Sequence, residues 1–212
     1  MMHILFDFDG TLVDSFDTAI EQFNILAAEY RFRTISSDEV SQLRELSSKE
    51  IIKFLKIPFY KIPKIIIEAR KRMKSEMIKL APASGIPKVL QQISAASNSM
   101  GIITTNSEEN VVTWLASHHL DQYFDFIHVE SNYFGKSRVL KKVIKHHNIN
   151  KQHAFYVGDE TRDVDAAKKN GITAVAVTWG VNSEKILHAH QPHFIAREPS
   201  DLLKILNNFR EQ

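Results

Sequence analysis

The chain has 212 residues, no cysteine, 43% hydrophobic residues and a formal net charge of +2. That length holds one large domain, or a core with a small accessory domain, and the lack of cysteine excludes disulfides, thiolate catalysis and cysteine-ligated zinc. The charge is too small to imply nucleic-acid binding, and no apolar run approaches the roughly 20 residues that span a bilayer. Asp7 and Asp9 interrupt the only apolar start, so a cytoplasmic protein without a signal peptide or membrane partner is expected.

The first element is His3-Ile4-Leu5-Phe6, a short apolar run that reads as a buried strand, followed directly by Asp7-Phe8-Asp9-Gly10-Thr11-Leu12. Alternate side chains of a strand share a face, so Asp7 and Asp9 project together if the extended geometry persists. Where the strand gives way to a turn, Asp9 is instead reached through its backbone. Gly10 permits a tight turn or a close backbone approach. Two carboxylates this close repel unless a cation lies between them or one takes a proton. An ordinary turn is the simpler account, because Asp and Gly are common turn formers.

A helical stretch follows. Phe16, Ile20, Phe23, Ala27 and Tyr30 recur at steps of four and three, which marks one helical face. Ser36 with Glu39, and Ser47 with Glu50, have the spacing of capping boxes. Pro63 suits the first turn of a further helix, with Ile62, Ile66, Ala69, Met73 and Met77 as its buried stripe. The basic residues Lys64, Arg70, Lys71, Arg72 and Lys74 read as the wet side of that helix. From Asp14 to about Leu80 the sequence predicts helices and no strand.

The rhythm changes after Pro82, Gly85 and Pro87. Buried strands are expected at Met100–Thr104, Phe126–Val129, Ala154–Val157 and Thr173–Val177, with a last strand-like segment at His193–Ala196. Helical patterns separate most of them. Continuous apolar strands alternating with helices indicate an α/β fold, a Rossmann-like parallel sheet covered on both faces. The helical stretch is then a cap inserted after the first strand. The expected division is a core domain of residues 1–14 and 81–212 and a cap domain of residues 15–80.

Sites of open parallel sheets lie beyond the carboxyl ends of the strands, near the reversal of strand order. The first strand ends at Asp7, the second at Thr104-Thr105-Asn106-Ser107, and the fourth at Gly158-Asp159-Glu160-Thr161-Arg162-Asp163; Lys136 follows the third, after Gly135. Carboxylates, a hydroxyl and an ammonium are thereby brought toward one edge. Each has a bland account. Thr105 suits a helix N-cap, Lys136 a solvated surface, and Asp159 and Asp163 the capping of the next helix.

In order and spacing these residues resemble the four motifs of the haloacid dehalogenase-like hydrolase superfamily, and most closely its phosphoglycolate phosphatase-like branch. The first motif is Asp7-Phe8-Asp9-Gly10-Thr11-Leu12-Val13-Asp14-Ser15, the second Thr105-Asn106, the third Lys136, and the fourth Gly158-Asp159 with Asp163. Thr178-Trp179-Gly180 also looks like that branch. The likeness covers residues 1–14 and about 81–200, whereas the insertion matches the family's cap only in length and position.

The resemblance implies a Mg²⁺-dependent phosphatase acting on a small phosphorylated metabolite through an aspartyl-phosphate. Asp7 is then the nucleophile and Asp9 the general acid and base. Asp7, the Asp9 carbonyl and Asp159 hold Mg²⁺, and Thr105, Asn106 and Lys136 bind the phosphoryl group, with Gly10 and Thr11 also among the substrate-binding residues. Asp163 orients Lys136 or a metal-bound water. Acidic Asp9 argues against dehalogenase and phosphonatase chemistry, which lack an acid there; a sugar phosphomutase and a non-catalytic module retaining the fold stay open. Arg44, beside a turn between cap helices, is a candidate for reading an anionic substrate group, and a solvent-facing arginine is the simpler account. The ten histidines carry no carboxylate at metal-site spacing and are assigned no chemistry.

Overall fold

A computed structural model describes residues 1–129 and 135–210, with the backbone alone at 59, 70 and 75. In chain order the elements are β1 (His3–Phe6), α1 (Phe16–Tyr30), α2 (Val40–Leu43), α3 (Ser48–Phe54), α4 (Ile62–Met77), α5 (Ile86–Ala95), β2 (Ser99–Thr104) and α6 (Glu108–Ser117). There follow β3 (Phe126–Val129), α7 (Lys136–His146), β4 (Ala154–Gly158), α8 (Thr161–Asn170), β5 (Thr173–Val177), α9 (Glu184–Ala189), β6 (Phe194–Ala196) and α10 (Pro199–Arg210). All six strands run parallel, in the order β3-β2-β1-β4-β5-β6.

The period of two along β1 sends Ile4 and Phe6 to one face and Leu5 to the other. Ile4 and Phe6 join a buried cluster with Leu90 of α5, Trp114 of α6 and Leu206 of α10. Leu5 joins a second cluster with Val139 and Val143 of α7 and Val164 and Ala167 of α8. Both faces are therefore covered, which is why these strands lack polar alternation. Among the described residues no helix is long and apolar enough to cross a membrane.

Residues 16–57 carry a separate small cluster around Ile35, Leu43 and Leu55. The chain leaves the sheet and returns to it along one seam: Asp14 N–H donates to the Ala81 carbonyl (3.0 Å) and Ala83 N–H to the Leu12 carbonyl (2.9 Å). Both expected capping boxes form, Ser36 with Glu39 at a 3₁₀ turn and Ser47 with Glu50 at α3. The apolar stripes depart from expectation. Phe16, Ile20 and Phe23 of α1 and Ile66, Ala69 and Met73 of α4 are only half-buried, because part of this surface walls a cleft. On the outer side of α4, Lys64, Lys71 and Lys74 are exposed and Arg72 pairs with Glu29; the Arg70 side chain lies outside the described residues.

Candidate active site

Strand order reverses between β1 and β4, and their register sets Phe6 opposite Val157. Asp7 follows Phe6 directly and Asp159 comes two residues after Val157, past Gly158, so both stand at the crevice where ligands of such sheets bind. The Asp7 N–H still donates to the Val157 carbonyl (2.8 Å), which fixes the chain at its exit from the sheet. Asp7 is 3% exposed and Asp159 is completely buried. Asp7 Oδ1 accepts from the Phe8 N–H at 2.8 Å. Asp159 Oδ1 accepts from the Thr11 hydroxyl at 2.9 Å, and its Oδ2 from the Val181 N–H at 2.7 Å.

Close packing around Asp159 requires glycine on two sides. Gly10 has φ +75°, and a Cβ there, or at Gly180, would collide with the Asp159 carboxylate. Lys136 opens α7 from Gly135 and is 4% exposed. Its ammonium lies 2.6 Å from Asp7 Oδ2 and also contacts Asp163 Oδ1. Burial works against the charged lysine, but Asp163 and then Asp7 overcome it and hold its pKa well above the ordinary value. The surface account of Lys136 is thereby replaced. Asp163 does two things at once, because its Oδ2 accepts from the Glu160 N–H (3.0 Å) and caps α8.

Asp9 stands on the open side. Its two carboxylate oxygens accept from the Asn106 amide at 3.1 and 3.0 Å. Asn106 is itself fixed, its Oδ1 accepting from Ser107 N–H (2.8 Å) and the Asn110 amide (2.9 Å). Burial first, then the charge of Asp7, push the Asp9 pKa up to about 6, against the Asn106 hydrogen bond. Ser107, and not Thr105, caps α6. Thr105 lines a cleft of about 270 Å³ whose core wall includes Asp9, Asn106, Glu160 and Arg162 and whose opposite wall includes Phe16, Ile66 and Met73.

Carboxylate oxygens of Asp7, Asp159 and Asp163 lie within 4.8 Å of one another, all buried. Burial, and then Glu160, Asp7 and Asp163, raise the Asp159 pKa well above the carboxylate range. Such crowding is relieved by a proton or a cation, and an all-oxygen donor set suits a hard ion such as Mg²⁺. The residues present therefore fit that ion. Asp163 also lies in this cluster, where the Lys136 ammonium already contacts it; the third ligand expected from the sequence is the backbone carbonyl of Asp9, not a carboxylate.

Arg44, directly after α2, is part-buried. Its guanidinium lies 5.0 Å from the Phe16 ring centroid and donates to the Thr178 carbonyl at 3.4 Å. It packs beside Phe16, which walls the cleft. The sequence did not single out Glu160, Arg162, Ser48 or Asn182. Glu160 pairs with Arg162 and accepts from the Ser48 hydroxyl at 2.5 Å. Burial would raise the Glu160 pKa, but Arg162 and Lys136 lower it below the usual value.

Known proteins resemble this chain over nearly its whole length. The family described as haloacid dehalogenase-like hydrolase matches residues 4–177. A phosphoglycolate phosphatase of Synechococcus elongatus is 32% identical over 212 residues, covering 100% of both chains. The pyrophosphatase PpaX of Bacillus cereus is 26% identical, covering 97% of this chain and 96% of its own. A crystal structure described as a predicted phosphatase from Clostridium acetobutylicum superposes with a TM-score of 0.84 at 22% identity, covering 97% and 98% of the two chains. With the four motifs gathered at one sheet edge and the match running from the first strand through the fifth, the chain belongs to the haloacid dehalogenase-like hydrolase family.

Proposed function

We propose that this phosphatase of the haloacid dehalogenase-like family hydrolyses a small phosphomonoester with Mg²⁺, through a phosphoryl group carried on Asp7. The observation that carries the reading is Lys136 held between Asp7 and Asp163, beside buried Asp159, with Asp9 across the opening. A carboxylate nucleophile, a carboxylic acid whose pKa is raised, and a fixed cation are what stepwise phosphoryl transfer needs.

An Asp7 carboxylate oxygen attacks phosphorus, forming the O–P bond while the bond to the ester oxygen breaks. Asp9, with a pKa of about 6, gives its proton to the departing alkoxide. Asp9 then takes a proton from the water that attacks the phosphoaspartate, and inorganic phosphate leaves as Asp7 is restored. General acid–base help of this kind contributes about a hundred- to ten-thousand-fold. Lys136, the Asn106 backbone amide and the Thr105 hydroxyl stabilise charge on the phosphoryl oxygens. Asp163 keeps the Lys136 ammonium in place. Asp7, the Asp9 carbonyl and Asp159 would hold Mg²⁺, whose charge offsets the repulsion between an anionic nucleophile and an anionic phosphate. The apolar wall of Phe16, Ile66 and Met73 excludes water from the reacting centre.

A panel of small phosphomonoesters, assayed for phosphate release with and without Mg²⁺, tests the proposal. Wild type is expected to turn over one or more of them with Mg²⁺, and Asp7→Asn none. Equal rates for the two proteins would remove Asp7 from the reaction, and isomerised ester without free phosphate would make the enzyme a mutase.

A further inference from the structure

Asn182, 1% exposed, joins two segments that the reaction must coordinate. Its own N–H donates to the Asp159 carbonyl at 3.2 Å, directly after Val181 N–H grips the Asp159 carboxylate. Its side-chain oxygen accepts from the Thr161 N–H at 2.9 Å, at the start of α8. Its side-chain amide donates to the Leu46 carbonyl at 2.9 Å and, less directly, to the Arg44 carbonyl at 3.4 Å. One buried side chain therefore links the segment that presents Asp159 to the loop between α2 and α3. That loop also reaches the core through Ser48, whose hydroxyl donates to Glu160, and through the Ser183 N–H to the Arg44 carbonyl at 2.8 Å.

We propose that Asn182 is a positioning residue, which makes the placement of Asp159 depend on docking of the 44–48 segment against the core. Asparagine suits this because its amide donates and its oxygen accepts at one site, so both arms are satisfied only when the segment is docked. Buried polar groups are costly when unsatisfied; undocking leaves the amide without the carbonyls of Arg44 and Leu46 and frees the oxygen from its fixed angle toward Thr161. The bond from Ser183 to Glu45 (2.7 Å) lies farther out and does not touch the 159–161 strip, so it serves as an internal comparison.

The test uses two readouts, one of which does not require turnover. Because the chain has no cysteine, Lys53→Cys and Lys141→Cys, both at exposed positions, accept a spin-label pair that reports the distance from cap to core. Asn182→Asp keeps the acceptor for Thr161 but turns a carboxylate toward the two cap carbonyls; Asn182→Ser, too short to span the gap, serves if the first variant does not fold. Added longer distances are expected, with kcat for a nitrophenyl phosphate down about tenfold, which is about 1.4 kcal/mol, and KM within about threefold. Ser183→Ala, which leaves both side-chain arms of Asn182 and the backbone bond from Ser183 to Arg44 in place, is expected to keep kcat within about twofold of wild type. Distances identical to wild type would overturn the proposal, and so would a longer population with unchanged kcat. If wild type hydrolyses no ester, the proposed function fails while the distance measurement still decides whether Asn182 holds the cap segment.

Discussion

The Lys136 ammonium lies 2.6 Å from Asp7 Oδ2 and touches Asp163 on its other side, with all three groups nearly excluded from water. A buried lysine between two buried carboxylates makes stability and chemistry inseparable here. Removing one partner of a buried ion pair leaves an uncompensated charge, at a cost of about 3–5 kcal/mol. Lys136→Met is therefore expected to lower the unfolding free energy by that order and to abolish turnover. Adding Asp163→Asn to it should recover part of the stability and none of the activity. Urea titrations of the single and double variants measure this; a double variant no more stable than the single one would mean that the acids carry no net charge in the folded state.

Asp9 should separate substrates by leaving group. An alkoxide needs a proton as the ester bond breaks, whereas nitrophenolate leaves without one. Asp9→Asn preserves shape and a contact for Asn106, so the fold should hold. The expected loss with an alkyl phosphate is about a hundred- to ten-thousand-fold, with a distinctly smaller loss in the bond-breaking step for nitrophenyl phosphate. Single-turnover measurement of that step, apart from hydrolysis of the phosphoaspartate, makes the comparison. Equal losses for both esters would deny Asp9 the role of acid.

Gly10→Ala tests the packing around Asp159 without removing a polar group. The position has φ +75°, and the added Cβ would meet the Asp159 carboxylate. A left-handed conformation costs an L-residue about 1–2 kcal/mol, and displacement of Asp159 adds to it. The variant should melt lower and lose most of its thermal response to Mg²⁺, read from paired melts with and without the ion. A full Mg²⁺ response would show that the carboxylate tolerates displacement.

What the sequence made legible was local. Apolar runs ending in Asp7, Thr104 and Gly158 mark strands whose polar ends must share an edge once the sheet is parallel, and the structure places them so. Two kinds of feature were hidden. The stripes on α1 and α4 have the period of core-facing helices, yet Phe16, Ile66 and Met73 wall a cleft; a wall for an apolar cavity and a packed core impose the same pattern. The contacts of Asn182 with Leu46 and of Glu160 with Ser48 span 136 and 112 positions. Serine, asparagine and glutamate at such separations carry no periodic signal, so only the folded chain reveals them.

The raised pKa values of Asp9 and Asp163 set the direction of the pH response. Burial, with Lys136 pulling the other way, brings Asp163 to about 7, and Asp9 stands at about 6, each from an ordinary value of 3.8. Between those limits the folded protein binds more protons than the unfolded chain, so stability falls as pH rises. Their favourable contribution is complete below pH 3.8 and is lost as pH climbs through about 6 and then 7. A divalent cation does for the carboxylate cluster what protons do at low pH, and protons compete with it. The rise in melting temperature on adding Mg²⁺ should therefore be small at about pH 5 and grow toward about pH 7.5, as linkage requires. In Asp159→Asn the rise should shrink and its dependence on pH flatten. Melts across that range, at constant ionic strength, measure both; a Mg²⁺ effect independent of pH would mean that the ion binds away from these acids.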